Sequence, residues 1–403
     1  MRKLLLLGLL AVMVLPARAA KHVTVAQLEK TLAESIAKHK GDDELLRQLG
    51  ELELTERLTD GARDRISSRL HLGPQTIVAL QLLADESASL DPPAAELPAQ
   101  AAPDVATAQR IFNAAGAYVT KTLPHLPDFL ATRTTYSFDN SPQVFEENGW
   151  PVRAGLHLAS LSSREITVRD DHEREAPTSQ GDDATSTPLG PKDMKGLQTW
   201  SEFGELLAVI LVDAEKGKVF FHHWEQSPAG LVAVYRYTVP KSASHYKFDY
   251  CCISGGPRNN DPDGGGRRGR AALMFNMEGA PTSVFHGTPG YHGSLYIDPA
   301  TGAVLRFTVE AEMDDGPVSR VATVIEYAPV LIGDRQFICP VRSLALTRGP
   351  AEFDPNIQIP QATMGMRVND VVHFNETNFT DYHRLGTTMR ILTSAEASTA
   401  QKP

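Results

Sequence analysis

The chain has 403 residues, of which 42% are hydrophobic and 22% charged, so it is long enough for two domains or for one large β domain with additions. Its formal net charge is −10 at pH 7. An acidic chain is a poor general binder of polyanions, which argues against nucleic acid or an anionic membrane surface as the partner.

The first 19 residues have the pattern of an export signal. Arg2 and Lys3 precede an apolar run from Leu4 to Leu15, and Ala17-Arg18-Ala19 is a small-x-small cleavage site. The apolar run is shorter than a membrane-spanning helix requires, and no later stretch is long enough to cross a membrane. We therefore expect an exported protein, periplasmic or extracellular, from which residues 1–19 are removed as a signal peptide.

Residues 20–90 are predicted to form a helical region. Leu28 and Leu32 recur at the spacing of one helix face, and Thr24 can cap the start of this helix. The helical spacing continues with four further leucines, Leu45, Leu49, Leu52 and Leu54. Another helix is expected after Gly73-Pro74, because proline is favoured in the first turn of a helix.

A linker is expected at residues 91–104, which are rich in proline and alanine and lack periodicity. Residues 105–392 are then predicted to form a curved antiparallel β domain with covering helices. One of these helices is expected over residues 105–123 and another over residues 201–212, where Ser201 can act as the cap.

The clearest local signal in the β domain is a hairpin turn within residues 290–346, where apolar runs alternate with turn residues as in an antiparallel meander. In Asp298-Pro299-Ala300-Thr301-Gly302, Asp298 can accept a hydrogen bond from the backbone two residues on. Pro299 fixes φ, and Gly302 supplies a position with positive φ.

The strand after this turn alternates apolar and polar residues, which predicts one buried face and one solvent-exposed face. Its apolar set is Leu305, Phe307, Val309 and Ala311. Two registers remain open for the hairpin, one with Ile297 opposite Val304 and one with Ile297 opposite Ala303. A slip of one residue would reverse the pairing of the faces.

The chain has three cysteines, Cys251, Cys252 and Cys339. In an oxidising compartment this number predicts one structural disulfide and one remaining thiol. Cys339 lies in the predicted meander and the adjacent pair ends an earlier strand, so the favoured bridge joins Cys339 to one member of the pair. A metal site is less favoured, because adjacent cysteines lack the usual two-residue ligand spacing.

The histidines do not form a compact metal-binding motif. His222 and His223 are adjacent on a predicted strand, so alternation would place them on opposite faces and prevent them from binding one metal ion. His286 and His292 could join Asp298 in a site if the hairpin folded back, and a hydrolase-type enzyme could use them. No HExxH-type motif supports that arrangement.

Other signs of catalysis are absent from the sequence. The loop Gly255–Arg270 is rich in glycine and arginine, yet it lacks the Lys-Ser/Thr pair of a phosphate-binding P-loop. There is no Gly-x-Ser-x-Gly elbow and no carboxylate pair that stands out for acid–base work. We therefore predict a protein that is not an enzyme, with no catalytic residue, no cofactor and no metal.

Two resemblances extend these expectations. The run Gly293–Gly302, followed by Val304-Leu305-Arg306, resembles the C-terminal sheet of the periplasmic half-barrels, which are the LolA-like lipoprotein carriers and the stress-sensor regulators that share their fold. Most of the mature chain is similar to a family of uncharacterised secreted bacterial proteins. The residues that carry this second similarity are Glu53–Leu58, Asp91-Pro92-Pro93, Phe129–Thr135, Tyr327 and Pro340-Val341.

Together these patterns predict an α+β protein, with an N-terminal helical region followed by an open, half-barrel-like sheet and a disordered tail at residues 393–403. The resemblance to the carriers implies an exported envelope protein that binds a lipid, a lipoprotein or another apolar ligand in a groove lined by apolar side chains. An alternative is an envelope scaffold that binds a protein partner through its helical region.

Overall fold

The computed structural model describes residues 20–122, 126–141, 155–169, 172–175, 196–198, 202–254, 282–314, 316, 318–349 and 371–385. The predicted signal peptide, the Gly/Arg loop and the predicted disordered tail lie outside these residues. None of the helices in the described ranges is both long and apolar enough to cross a bilayer.

The N-terminal region is helical, as its periodicity predicts. Its helices are α1 Val25–Ala37, α2 Asp42–Leu49, α3 Asp60–Leu70 and α4 Pro74–Glu86. Thr24 caps α1 in a capping box, because its side chain accepts from the backbone of Gln27 while the Gln27 side chain accepts from the backbone of Thr24. Apolar side chains of all four helices, including Leu28, Leu45 and Leu80, bury one another in a separate core.

One stretch of this region differs from the prediction. Helix α2 ends at Leu49, and strand β2 Leu52–Leu54 pairs in parallel with strand β1 Lys21–Val23. Leu52 and Leu54 are buried with an intermediate residue between them, which is the alternation of a strand. The helical assignment of these two leucines was wrong, because a short apolar run with spacing two fits both helix and strand.

The remaining strands form two sheets. In chain order they are β3 Phe129–Asp139, β4 His157–Arg169, β5 His172–Glu175, β6 Gly196–Gln198, β7 Lys218–Ser227, β8 Gly230–Val239, β9 Phe248–Ser254, β10 Thr282–Gly287, β11 Gly290–Ile297, β12 Val304–Glu312, β13 Arg320–Ile332, β14 Arg335–Gly349 and β15 Val371–Arg384. The large sheet has ten strands in the order β5-β4-β3-β15-β14-β13-β12-β11-β8-β7, and the small sheet has the order β10-β9-β6.

Every neighbouring pair in the large sheet is antiparallel, and its end strands β5 and β7 do not pair with each other among the described residues. The protein is therefore of the α+β class with an open antiparallel sheet, which agrees with the predicted half-barrel-like architecture. The two covering helices are α5 Val105–Thr122 and α6 Glu205–Lys216. Helix α6 begins four residues later than predicted, and its cap is Gly204 instead of Ser201.

We call the side of the large sheet that faces α5 and α6 the inner face. On strands β8, β11, β12 and β13, this face is apolar and packs against the two helices and the small sheet. Tyr235 illustrates the contact, because its ring lies 5.8 Å from that of Phe112 in α5 and its hydroxyl donates to the Ala108 carbonyl. The two helices thus bury the apolar half of the inner face.

We call the opposite side the outer face, and the helical region covers it. Leu82 and Ala88 of the helical region lie in one cluster with Val324, Leu344 and Phe374 of the sheet. Arginines of the sheet surround this cluster and meet carboxylates or carbonyls of the helical region. The contacts are Arg342 to Asp85 at 2.8 Å, Arg348 to Glu53 at 3.1 Å and Arg306 to the Ala88 carbonyl at 2.6 Å.

The hairpin at Asp298–Gly302 is formed as predicted. Asp298 accepts from the backbone of Ala300, Gly302 has φ of +78°, and the register places Ile297 opposite Val304. The register then shifts by one residue before Tyr296 pairs with Arg306. This β-bulge turns Leu305 away from the other apolar residues of β12.

The prediction of one wet face for β12 was therefore wrong in two respects. Leu305 packs with Val232, Val234 and Tyr296 on the outer face, whereas Phe307 and Val309 point to the inner face. The helical region also covers the polar side of this strand, so both faces are shielded from solvent.

Gly302 gives a test of the contact between this turn and helix α5. A Cβ atom at Gly302 would lie 2.5 Å from the Ala114 carbonyl oxygen, whereas at Gly333, which has a similar φ of +69°, the nearest atom would be 3.6 Å away. We expect Gly302→Ala to lower the free energy of unfolding by about 1–3 kcal/mol more than Gly333→Ala. Urea unfolding of both variants measures the difference, and equal losses would contradict the contact.

Candidate functional site

A buried polar patch occupies the inner face where β14, β15 and β3 lie side by side. Because the three strands are in register, their inward side chains form rows across the sheet. The rows are Ser343–Thr377–Thr135, Ala345–Asn375–Ser137 and Thr347–His373–Asp139. We call these nine residues the polar grid. Each of its polar residues is at most 8% exposed.

Burial of polar groups is unfavourable unless they are hydrogen-bonded. Several members of the grid meet this requirement. The hydroxyls of Thr135 and Thr377 are 2.9 Å apart, and the Asn375 amide donates to the Leu197 carbonyl of β6 at 3.1 Å. The Ser343 hydroxyl is fully buried and has no hydrogen-bond partner among the described residues. One hydroxyl of the grid thus has hydrogen-bonding capacity that no described residue satisfies.

A buried ion pair lies beside the grid on the same face. Arg133, two residues before Thr135 on β3, contacts Oε1 of Glu202 at 3.2 Å, and Glu202 is completely buried. The Tyr327 hydroxyl fixes this segment by donating to the Glu202 carbonyl. Within the described ranges, Oε2 of Glu202 has no hydrogen-bond partner. The ion pair thus adds to this side of the sheet a second buried oxygen without a partner in the described part of the chain.

The grid becomes more accessible toward strand β4. Exposure rises from 1% at Ser343 on β14 to 8% at Ser137 on β3, and Ser160, which pairs with Ser137 from β4, is exposed. The first half of β4 also exposes Leu158 and Leu161. Among the described residues, the side of the grid that borders β4 is therefore its most exposed side.

The lining of the inner face differs between its two halves. We predicted a groove with apolar walls, yet the apolar half is packed with side chains of α5, α6 and the small sheet. The half beyond it carries hydroxyls, an amide and an imidazole. The ligand-binding groove itself stays a prediction.

A second cluster lies on the outer side of edge strand β7. The register of β7 against β8 shifts between Phe221 and His223, so His222 is the inserted residue of a β-bulge. Instead of facing opposite sides, the His222 and His223 rings lie with their centroids 4.8 Å apart. The prediction that alternation separates them was wrong, because it assumed a regular strand.

Charged groups surround the two histidines. Asp91 of the linker lies 3.4 Å from Nε2 of His222, and it also contacts Arg236 of β8. Glu225 lies 3.4 Å from Nε2 of His223 and contacts the buried Arg57 of the helical region. Together these six residues, which we call the junction cluster, join the helical region and the linker to the sheet edge.

The carboxylates of the junction cluster are held in the ionised state. Burial raises the pKa of Glu225, but the hydrogen bond with His223 and the Arg57 guanidinium outweigh burial and lower it to about 2. The pKa of Asp91 is also lowered, because Arg236 and His222 outweigh its partial burial. The cluster therefore presents two anions and two imidazoles beside two guanidinium groups.

The other residues that the sequence singled out do not come together. His286 contacts Asp249 in the small sheet, whereas His292 contacts Glu312 in the large sheet. Asp298 binds Ala300 and Thr301 within its own turn. Six residues of extended strand separate it from His292, or about 20 Å. The hypothetical His/His/Asp site is therefore not assembled.

A disulfide is not shown. Cys339 is a free, buried thiol in the cluster around Phe129 and Phe379, and burial raises its pKa to about 12. The side chains of Cys251 and Cys252 lie outside the described part of the chain. The bridge from Cys339 to one of them therefore stays a prediction.

Sequence reasoning missed both sites. The polar grid had a signal in the alternating Thr, Ser and Asn residues of FLATRTTYSFD and VVHFNETNFTDYHR, but only the strand order shows that they share one face. The junction cluster depends on the bulge at His222 and on Asp91, which is 131 positions from His222 in the sequence. Neither feature leaves a local sequence pattern.

Comparison of the chain with protein-family models, with curated proteins and with solved structures finds no match. The resemblance to the half-barrel carriers and to the secreted bacterial family therefore stays a prediction.

The pair Thr135 and Thr377 tests how the grid contributes to stability. Either Thr→Val substitution alone leaves the other hydroxyl buried without its partner, and we expect a loss of about 1–2 kcal/mol in the free energy of unfolding. The double variant removes both hydroxyls without changing the shape, so its loss should be smaller than the sum of the single losses. Strict additivity in a urea double-mutant cycle would contradict a pairwise hydrogen bond.

Glu225 predicts a pH dependence of stability. Its pKa is about 2 in the folded protein against an ordinary 4.5, so its stabilising contribution is present above pH 4.5 and is lost as the pH falls toward 2. The full contribution is roughly 3 kcal/mol. Glu225→Gln should lower stability at pH 7 and flatten its decline in this acidic range.

The matched control for Glu225→Gln is Glu165→Gln on the exposed surface of β4. This variant should keep the pH dependence of the unmodified protein. Urea unfolding at a series of pH values makes the comparison. If the stability of Glu225→Gln declined with falling pH as steeply as that of the unmodified protein, the acid sensitivity would have to come from other carboxylates.

Proposed function

We propose that this chain is an exported, non-enzymatic envelope protein that binds a small neutral ligand, rich in hydroxyl and amide groups, against the polar grid. The observation that carries the proposal is the row of buried hydroxyl and amide side chains on three adjacent strands. Such groups recognise ligand hydroxyls and amides by hydrogen bonding, and they are unfavourable in a core that serves packing alone.

The unused hydrogen-bonding groups support this proposal. The Ser343 hydroxyl and Oε2 of Glu202 are buried and lack hydrogen-bond partners among the described residues. A polar ligand would satisfy them, and rising exposure toward β4 offers it a route. Because the Ser343 hydroxyl has no hydrogen-bonded base among those residues, it is not activated as a nucleophile, which favours binding over catalysis.

The proposal keeps the exported binding protein that the sequence predicts but changes the class of ligand. A lipid or other apolar ligand is less favoured, because α5 and α6 fill the apolar half of the inner face. A scaffold role for the helical region stays a prediction. The hydrolase alternative loses support, because His286 and His292 lie on different sheets with different carboxylate partners.

The test compares Ser343→Ala with Ser163→Ala. Ser343 is buried without a hydrogen-bond partner among the described residues, so removal of its hydroxyl should leave stability almost unchanged. Ser163 is an exposed serine on β4 whose hydroxyl lies 3.0 Å from that of Thr134, and it serves as the matched control. Native mass spectrometry of protein from the exported fraction of its own host detects the retained ligand, and titration calorimetry with N,N′-diacetylchitobiose probes binding of hydroxyl and amide groups.

We expect the unmodified protein and Ser163→Ala to retain the same additional mass or to bind the probe with equal affinity. Ser343→Ala should bind about tenfold more weakly, which corresponds to one hydrogen bond. An unmodified protein that carries no ligand and binds no probe would contradict the proposal. So would a Ser343→Ala variant that binds as tightly as the unmodified protein.

A further inference from the structure

The junction cluster brings three metal-binding side chains together. One ligand atom each from Asp91, His222 and His223 lies within 4.8 Å of the other two. Nε2 of His222 is already 3.4 Å from Oδ2 of Asp91. Tetrahedral Zn²⁺ with bonds of about 2.0–2.1 Å places neighbouring ligand atoms about 3.4 Å apart. One edge of a zinc tetrahedron is thus present, and small side-chain rotations would close the others.

We propose that Asp91, His222 and His223 form a binding site for Zn²⁺, with water completing the coordination. Two imidazole nitrogens and one carboxylate oxygen form a ligand set that Zn²⁺ prefers, whereas Mg²⁺ and Ca²⁺ prefer oxygen ligands alone. This site is independent of the polar grid, because His223 and Glu225 point to the outer face of the sheet.

The surroundings of the site fix its ligands in position. The backbone amide of Arg57 donates to the Asp91 carbonyl at 2.7 Å, which holds the linker over the strand edge. Glu225 lies 3.4 Å from Nε2 of His223 and orients that imidazole, as carboxylates do for metal-bound histidines. The side chains of His222 and Asp91 are 37% and 41% exposed, so an ion can reach both from solvent.

Arg236 opposes the binding of a cation. Its guanidinium contacts the Asp91 carboxylate, so the ion must share that carboxylate with a positive charge. We therefore expect binding that a chelator reverses. A bound ion would join the linker at Asp91 to strand β7 and add a further tie to those between the helical region and the sheet, close to the Arg57–Glu225 ion pair.

The test uses the full exported chain after treatment with a chelator. Titration calorimetry with Zn²⁺ gives affinity and stoichiometry, and the visible absorption of added Co²⁺ reports tetrahedral coordination by nitrogen and oxygen. The variants are His222→Ala and Asp91→Asn, with His286→Ala as the control. His286 is also an exposed histidine beside an aspartate, but it lies in the small sheet.

We expect one Zn²⁺ per chain in the unmodified protein and in His286→Ala. His222→Ala and Asp91→Asn should each bind at least tenfold more weakly and lose the Co²⁺ absorption, while their circular dichroism spectra remain unchanged. An unmodified protein that binds no Zn²⁺ would overturn the proposal. Equal affinity in the unmodified protein and both site variants would overturn it as well, because other residues would then hold the ion.

Discussion

The architecture depends on the ionic attachment of the helical region to the outer face of the sheet. Arg342 and Arg348 project from β14 and meet Asp85 and Glu53 of the helical region. Burial raises the pKa of Asp85 to about 6 even though Arg342 lies beside it, so desolvation opposes this attachment. Once such a pair is buried, loss of either partner leaves an uncompensated charge, and the two parts are therefore held in one arrangement.

This attachment explains how the inner face can be divided. Because the outer face and the apolar half of the inner face are both packed, the central strands are stabilised from two sides. The remaining strands can then carry serine, threonine and asparagine, which add little to packing. The sheet thus combines a half that packs apolar side chains with a half that buries polar side chains.

The sequence predicted those parts of the fold that depend on neighbouring residues. The capping box at Thr24 and the turn from Asp298 to Gly302 both follow from local patterns, and both are present. The errors at Leu305 and His222 have one physical cause. Each error results from a β-bulge. The position of a bulge depends on how the strand pairs with its neighbour, and the local sequence does not contain that information.

The bulge at His222 also affects how readily folded chains can associate through the edge of the large sheet. Strand β7 is the last strand of the large sheet and presents one row of backbone groups without a neighbouring strand among the described residues. A long regular edge of this kind invites a second chain to add a strand, which leads to aggregation. The inserted histidine interrupts that row, so an incoming strand meets two short stretches in place of a continuous template.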